Sequence, residues 1–421
     1  MLRRDFLNLS AVAAAWLLLP SQAKAATTTY TGPLWVFIHA SGGWDPTSLC
    51  DPKGNGITAP QGGPMNNFSS NSIRTAAGSS IRYAPLTGDG YAFSTFFEKY
   101  GKDLLVVNGI DAQTNGHSTG TRYAWSGNLS LDTTSTAALF ASILMPTSPL
   151  SFITFGGYDF TGGLIPATRL NNTAIIDKLA EPNLNGSTPF YSQTTLNYIK
   201  DANKARGREL AGQESLASSR NALTGYNESH ERAKMIKDFQ VILDTTSAVG
   251  GESSMRRESR IAMASYRAGL TVSVNIDTGG FDTHSNHDTN HTRRLGQLLR
   301  GIDEIMQEAQ AQGMQDRITI VVGSEFGRTR GYNSGNGKDH WPVTSMMFMG
   351  SGIRGGRVIG ATTDHHVVRK VNPTTLALDN SGISLTPAHI TKALRNLAGV
   401  GSDPLVTQSF PINVPSLNLF S

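Results

Sequence analysis

Cysteine is nearly absent from this chain: Cys50 is the only one in 421 residues, so no disulfide can form within it. Charge is sparse too, at 16% of residues, with a formal net charge of +4. No lysine or arginine stripe marks any segment, which argues against nucleic acid as a partner. Several common catalytic signatures are missing. There is no G-x-S-x-G elbow around a serine, no P-loop and no dinucleotide fingerprint after a strand. Serine-hydrolase, nucleotide-hydrolase and dehydrogenase readings therefore lose their usual support. Nor is there an internal repeat or a linker-like shift in composition. What is abundant is glycine, at 44 residues against a hydrophobic content of 38%, which indicates a loop-rich globular protein.

The N-terminus, "MLRRDFLNLSAVAAAWLLLPSQAKA", stands apart from the rest. Arg3 and Arg4 precede an apolar run from Ala11 to Leu19, and Ala23-Lys24-Ala25 forms a small-residue cleavage pattern. This reads as a twin-arginine export signal cut after Ala25, leaving a periplasmic or secreted protein with the twin-arginine export machinery as its first partner. The apolar run is too short to serve as a stable membrane anchor. Export of an already folded chain agrees with the lack of disulfides and often accompanies a metal or cofactor loaded beforehand. With Arg3, Arg4, Lys24 and Asp5 set aside, the mature charge falls to near +2.

Along the mature chain, short apolar runs alternate with helical patterns. "LWVFIHA" (Leu34–Ala40), "DLLVVNGI" (Asp103–Ile110), "SFITFGG" (Ser151–Gly157), "TVSVNIDT", "RITIVVG" and "VTSMMFMG" read as buried strands. "SRIAMASYRAGL" reads as a helix. So does "HTRRLGQLLRGIDEIMQEAQAQGM", with Leu295, Leu298, Leu299, Ile302, Ile305 and Met306 at helical spacing. Strands that are continuously apolar rather than alternating indicate a mostly parallel sheet sandwiched between helices, an α/β fold. One domain over residues 26–421 is expected, with a mainly helical insertion at about 193–260.

Ligands in such sheets bind beyond the carboxyl ends of the strands. Four strand ends carry chemistry here. Asp45 follows the first; His117, Ser118 and Thr119 follow the second, where a hydroxyl would either cap the coming helix or act as a nucleophile at its N-terminus. Asp282 and His284 share one face of an extended "GGFDTH", a carboxylate and an imidazole suited to Zn²⁺ or Mn²⁺. His287 and His291, four apart, read as solvated positions after a helix cap at Thr283 or Asp288. Glu325 either pairs with Arg328 or joins the site. The stretch "FGRTRGYNSGNGKDHWP" then brings Arg328, Lys338, Asp339 and His340. Its glycines and asparagines would let "KDHW" swing inward.

Four segments, "FIHASGGWDPTS", "DTGGFDTHSNH", "VVGSEFGRTRGYNSGNGKDHWP" and "GSGIRGGRVIGATTD", resemble the exported "domain of unknown function 1501" proteins, which group with the alkaline phosphatase and sulfatase superfamily. The resemblance runs in order over most of the mature chain. It is most specific from Ser324 to Asp364 and weak around 193–260. It implies an alkaline phosphatase-like fold with a metal-dependent hydrolase site at the strand ends. Asp45 would be the first-strand metal ligand and Ser118 or Thr119 the nucleophile, with Asp282, His284, Asp339 and His340 as later ligands. The chain departs from the superfamily pattern in two places. Glu325-Phe326 stands where an adjacent Asp–His pair is usual, and Asp282-Thr283-His284 has its own spacing. With no cysteine near residue 118, a formylglycine sulfatase is excluded.

Together these features lead to an exported hydrolase of phosphate or sulfate esters that uses a divalent metal ion, zinc or manganese by donor type. Asp45, Asp282, His284, Glu325, Asp339 and His340 are the candidate ligands. Ser118 or Thr119 would attack, and His117, Arg328 and Lys338 would hold an anionic small-molecule or polymer substrate. The alternative is a non-catalytic binding protein on the same fold.

Overall fold

The computed structural model describes residues 30–421, apart from 217–218, 221–222, 224–226, 228–232 and 247. The export signal expected over residues 1–25 lies outside the described residues.

The apolar runs form strands β1 (Leu34–Ala40), β2 (Leu104–Asp111), β3 (Phe152–Thr154), β4 (Thr168–Arg169), β5 (Ser273–Thr278), β6 (Ile318–Gly323), β7 (Val343–Gly350) and β8 (Arg357–Ile359). They join in one sheet in the order β8-β2-β7-β6-β1-β5-β3-β4. β1 lies at its heart, with Val36 level with Val274 of β5 on one side and Ile320 of β6 on the other. The pairs are parallel except the two made by β7, which runs antiparallel to β6 and β2. "VTSMMFMG" thus enters the sheet from the edge where its neighbours leave it. An apolar run reads the same in either direction, so its pattern carries no polarity.

Both faces of the sheet are covered, which is why its strands are apolar throughout. Leu34, Val36 and Ile38 face one core with Val274, Ile276, Ile320 and Met347. Trp35 and Phe37 face the other with Leu105, Val321 and Phe348. The connecting chain supplies helices α1 (Phe93–Tyr100), α2 (His117–Ser126), α3 (Thr136–Leu144), α4 (Ala174–Ala180), α5 (Gln193–Gln213), α6 (Ala233–Thr245), α7 (Ser254–Arg267), α8 (His287–Ala311) and α9 (Pro387–Leu397). α1, α7 and α8 cover the first face. There Leu295, Leu298, Leu299, Ile302 and Ile305 of α8 are each 0% exposed, a burial contributing roughly 1.5–3 kcal/mol per side chain. α2, α3 and α9 cover the second face. Among the described residues no helix is long and apolar enough to cross a membrane.

Candidate metal centre

Four segments leave the sheet at one edge: the chain after β1, the start of α2 after β2, the chain after β5, and the segment between β6 and β7. The antiparallel direction of β7 matters here, because it delivers His340 to the edge where the parallel strands end. The last segment is no loose loop. Gly327 and Arg328 pair with Trp341 and His340 as a short antiparallel ribbon. The Asn333 side chain then accepts the N–H groups of Gly335 and Gly337 at 3.0 and 2.9 Å. The swinging "KDHW" expected from the glycines and asparagines is instead a pinned hairpin.

His117, His284 and His340 surround Asp282. His284 Nε2 lies 2.9 Å from Asp282 Oδ1, His340 Nε2 3.0 Å from the same oxygen, and His117 Nε2 3.5 Å from Oδ2. The protonation pattern of the three rings follows from what stands behind each. His117 Nδ1–H donates to Glu325 Oε1 (2.8 Å), His284 Nδ1–H to Asp339 Oδ1 (2.6 Å), and His340 Nδ1–H to the Asn115 carbonyl (2.8 Å). A carbonyl and ionised carboxylates only accept, so each ring carries a proton on Nδ1 and turns Nε2, the nitrogen that a metal ion would use, toward Asp282. Carboxylate or carbonyl partners behind imidazoles are the usual support of metal-binding histidines. His284 Nε2 and His340 Nε2 stand 3.1 Å apart. Ligand atoms about a tetrahedral zinc with ~2.1 Å bonds stand roughly 3.4 Å apart, so this donor set fits a divalent ion. His117, Asp282 and His340 in particular each offer an atom within 4.8 Å of the others. The side chains of Asp282 and His284 are 44% and 46% exposed, so the centre is open to solvent.

Charge at the centre is set by its neighbours. Burial works against the Asp282 carboxylate, but hydrogen bonds from Arg328 and His340 outweigh it and bring its pKa down to about 2. Behind His117, Glu325 has no capacity left. Oε1 also accepts the Gly42 N–H (2.8 Å), while Oε2 takes the Ser324 hydroxyl (2.8 Å) and faces His39 Nε2 (3.0 Å). Burial alone would raise the pKa of Glu325, yet the hydrogen bond and charge of His39 hold it far below the usual range. His39 Nδ1 lies 3.2 Å from Asp277, and its two carboxylate neighbours overcome the effect of burial and push it up to about 9. It is therefore an imidazolium at neutral pH.

Backbone approach fixes this geometry at two glycines. Gly42 has φ +118°, and a Cβ there would sit 2.4 Å from the Asp282 nitrogen, so the turn after β1 can lie against the Asp282 segment only as glycine. At Gly120 a Cβ would come within 2.8 Å of the Glu325 carbonyl oxygen, which seats the first turn of α2 against β6.

The remaining expected residues are placed differently. Asp45 and Lys338 lie in a second, sealed cluster, both 0% exposed. Lys338 Nζ donates to Asp45 Oδ2 (2.7 Å) and Asn66 Oδ1 (2.6 Å). Asp45 also accepts the Thr47 N–H (2.9 Å) and hydroxyl (2.6 Å). A chain of neutral groups completes the cluster. The Asp45 N–H donates to His291 Nε2 (2.8 Å), His291 Nδ1–H to Thr283 (3.0 Å), Thr283 to His287 Nδ1 (2.7 Å), and His287 Nε2–H to Asp45 (3.1 Å). Burial lowers the pKa of both histidines. They are each 1% exposed and stacked at 4.3 Å, not solvated as their spacing after a helix cap suggested. Lys338 thus cannot reach a substrate, and Asp45 is neutralised by an internal ammonium rather than turned toward Asp282.

Arg328 is likewise 0% exposed. Its guanidinium donates to Asp282 (2.7 Å), to the carbonyls of Gly43 (2.7 Å) and Lys338 (2.9 Å), and to that of Gly42. It braces Asp282 and does not pair with Glu325. Asp339 stands behind His284 and Glu325 behind His117, as supports rather than at the point of convergence. Ser118 is exposed and Thr119 half-buried in the first turn of α2, whose cap is Gly116 with no side-chain bond. His39 and Asp277 escaped sequence reasoning. The available signal was one histidine inside the apolar run "LWVFIHA" and one aspartate near the end of "SVNIDT".

Residues 182–379 match the family described as "Protein of unknown function (DUF1501)". That segment belongs to the DUF1501 family. It contains Asp282, His284, Glu325, Arg328, Asp339 and His340, and it includes the helical stretch that carried little of the resemblance. His39, Asp45 and His117 precede it. No curated protein matches the chain. Among solved structures, the chain is similar to the lipoteichoic acid synthase LtaP from Listeria monocytogenes, at 7% identity and TM-score 0.40, over 89% of this chain and 74% of that one. It is also similar to the PsFucS1 sulfatase from Pseudoalteromonas sp., at 9% identity and TM-score 0.38, over 97% and 74%. A third similar structure is the phosphonate monoester hydrolase of Agrobacterium radiobacter, at 11% identity and TM-score 0.33, over 87% and 74%.

Proposed function

We propose that this DUF1501 protein is an exported, metal-dependent hydrolase of phosphate or sulfate esters on an alkaline phosphatase-like fold. One observation carries the reading: three imidazoles, each with Nδ1–H anchored to an acceptor, aim Nε2 at one carboxylate. Imidazole nitrogens turned on a carboxylate form a donor set for a divalent cation. His117, Asp282, His284 and His340 would hold a divalent ion, zinc or manganese by donor type. When bound, it would polarise the ester and lower the pKa of an adjacent hydroxyl or water. Ser118 or Thr119 is the proposed nucleophile, placed beside His117 where the leading N–H groups of α2 can receive an oxyanion. Arg328 keeps Asp282 ionised and oriented. Glu325, backed by His39 and Asp277, keeps His117 in the tautomer that a ligand needs. Lys338 supplies Asp45 with its positive charge internally, so a single metal site is proposed.

The test is elemental analysis of the mature protein after native export, with no metal-binding tag. About one equivalent of zinc, manganese or iron is expected, lost in Asp282→Ala and in His340→Ala. A screen of phosphate and sulfate esters then follows. The second reading, a non-catalytic exported binding protein, has one observation in its favour: Arg328 already gives Asp282 a cationic partner at 2.7 Å. Protein that stays metal-free after incubation with each ion would decide for that reading.

A further inference from the structure

The hairpin between β6 and β7 carries three cations besides His340, and two are spent. Arg328 and Lys338 are sealed inside and fully hydrogen-bonded. Arg330 is different. It is half-buried, its guanidinium lies over the Trp341 ring at 4.3 Å, and among the described residues no carboxylate or hydrogen-bond acceptor pairs with it. A cation–π contact of this kind consumes none of the guanidinium N–H donors, which can receive phosphate, sulfate or carboxylate.

Arg330 lines a cavity of about 380 Å³ shared with Gln61, Tyr332, Asn333, Asp339 and Trp341. Most polar groups on its wall are already engaged. The Tyr332 hydroxyl donates to Asp288, the Trp341 indole N–H to the His366 carbonyl (3.1 Å), and the Asn333 amide to His284 O and Asp339 (both 3.1 Å). Arg330, the Gln61 amide and the second oxygen of Asp339 are the groups left to bind something. The cavity also touches the candidate centre, because Asp339 on its wall accepts the Nδ1–H of His284 at 2.6 Å.

We propose that this cavity is an anion-binding subsite that takes the charged, hydroxylated part of a small ester extending from the Asp282 centre. The ligand class is a sugar-sized organic oxyanion, a phosphorylated or sulfated sugar. The oxyanion meets the Arg330 fork. The hydroxyls meet Gln61 and the free capacity of Asp339, whose negative charge turns the anion toward Arg330. Volume limits the ligand to a small molecule, at the lower end of the ~300–1,000 Å³ range of such sites. The location beside the reacting bond rests on the hydrolase reading, but the subsite itself does not.

The experiment is calorimetric titration of the mature protein, dialysed against EDTA, with glucose 6-phosphate, glucose 6-sulfate and uncharged glucose. Both esters should bind, with glucose at least about tenfold weaker, and Arg330→Gln should weaken both esters at least about tenfold, the loss expected for a charged hydrogen-bonding partner. Gln61→Ala should weaken them less. Thermal melting of Arg330→Gln checks that the fold is kept. Equal binding of esters by Arg330→Gln, equal binding of glucose, or no binding of either ester would each overturn the subsite. Because metal is stripped beforehand, failure here leaves the hydrolase reading standing, and a metal-free protein leaves this result intact.

Discussion

The sealed Asp45–Lys338 pair supports a prediction whose size follows from the structure. In Lys338→Met the cation is lost while Asp45 remains 0% exposed, with no route to water. Stranding one partner of a buried ion pair costs about 3–5 kcal/mol. Asp45 keeps the Thr47 N–H, the Thr47 and Ser48 hydroxyls and His287 Nε2–H, so the lower end, about 3 kcal/mol, is expected.

The pH dependence identifies the cause. Burial opposes the Asp45 carboxylate, yet the charge of Lys338 holds its pKa well below the ordinary value. A depressed carboxylate contributes stability above its unfolded pKa, ~3.9, and loses it only as pH falls through the folded value. The wild type therefore keeps the contribution at pH 5. Without Lys338, burial dominates and Asp45 takes up a proton as the solution is acidified, which relieves the stranded charge. The deficit of Lys338→Met should be largest at pH 8 and shrink toward pH 5. Asp45→Asn combined with Lys338→Met should recover part of it. Urea unfolding of the mature protein at both pH values measures this. A deficit under about 1 kcal/mol at pH 8, or one that grows on acidification, would refute the reasoning.

Other outcomes follow from the same geometry. Glu325→Gln should lower divalent-ion affinity by about 10- to 100-fold in competition with a chromogenic chelator, since it removes the charge behind His117. The same change should bring the His39 ring down from its value of about 9 in an NMR titration, and an unshifted ring would contradict the pairing. Gly120→Ala should destabilise the protein by about 1–3 kcal/mol in thermal or urea unfolding, because its Cβ meets the Glu325 carbonyl. N-terminal sequencing of exported protein should begin at Ala26, and replacing Arg3 and Arg4 together by lysine should retain the precursor inside the cell.

Much of the architecture could be read from residue patterns because it rests on local physics. "LWVFIHA" is a strand over its whole length, and the helical spacing of Leu295 to Ile305 places α8 on the sheet. The chemistry at the strand ends was legible by residue type. Histidines and aspartates that follow apolar strands have few reasons to be there, and Asp282, His284 and His340 do converge. Their roles were less legible, because a role depends on which atom faces which partner. Glu325 reads as a ligand or as a mate for Arg328, but its carboxylate is spent on His39 and on His117, 208 residues away. The cations of the hairpin read alike in the sequence. Folding buries Arg328 and Lys338 and leaves Arg330 beside the cavity.

The order of apolar runs and helical periods by itself determined an α/β protein with a polar edge, because burial on both faces of a strand and on one face of a helix is written into residue spacing. Tertiary structure alone decided that β7 runs backward and so delivers His340 to that edge. It alone sealed Asp45 with a lysine 293 residues distant and tied the Nδ1 atoms of three imidazoles to acceptors from other segments. Each of those outcomes depends on contacts between segments remote in the chain, which no local pattern encodes.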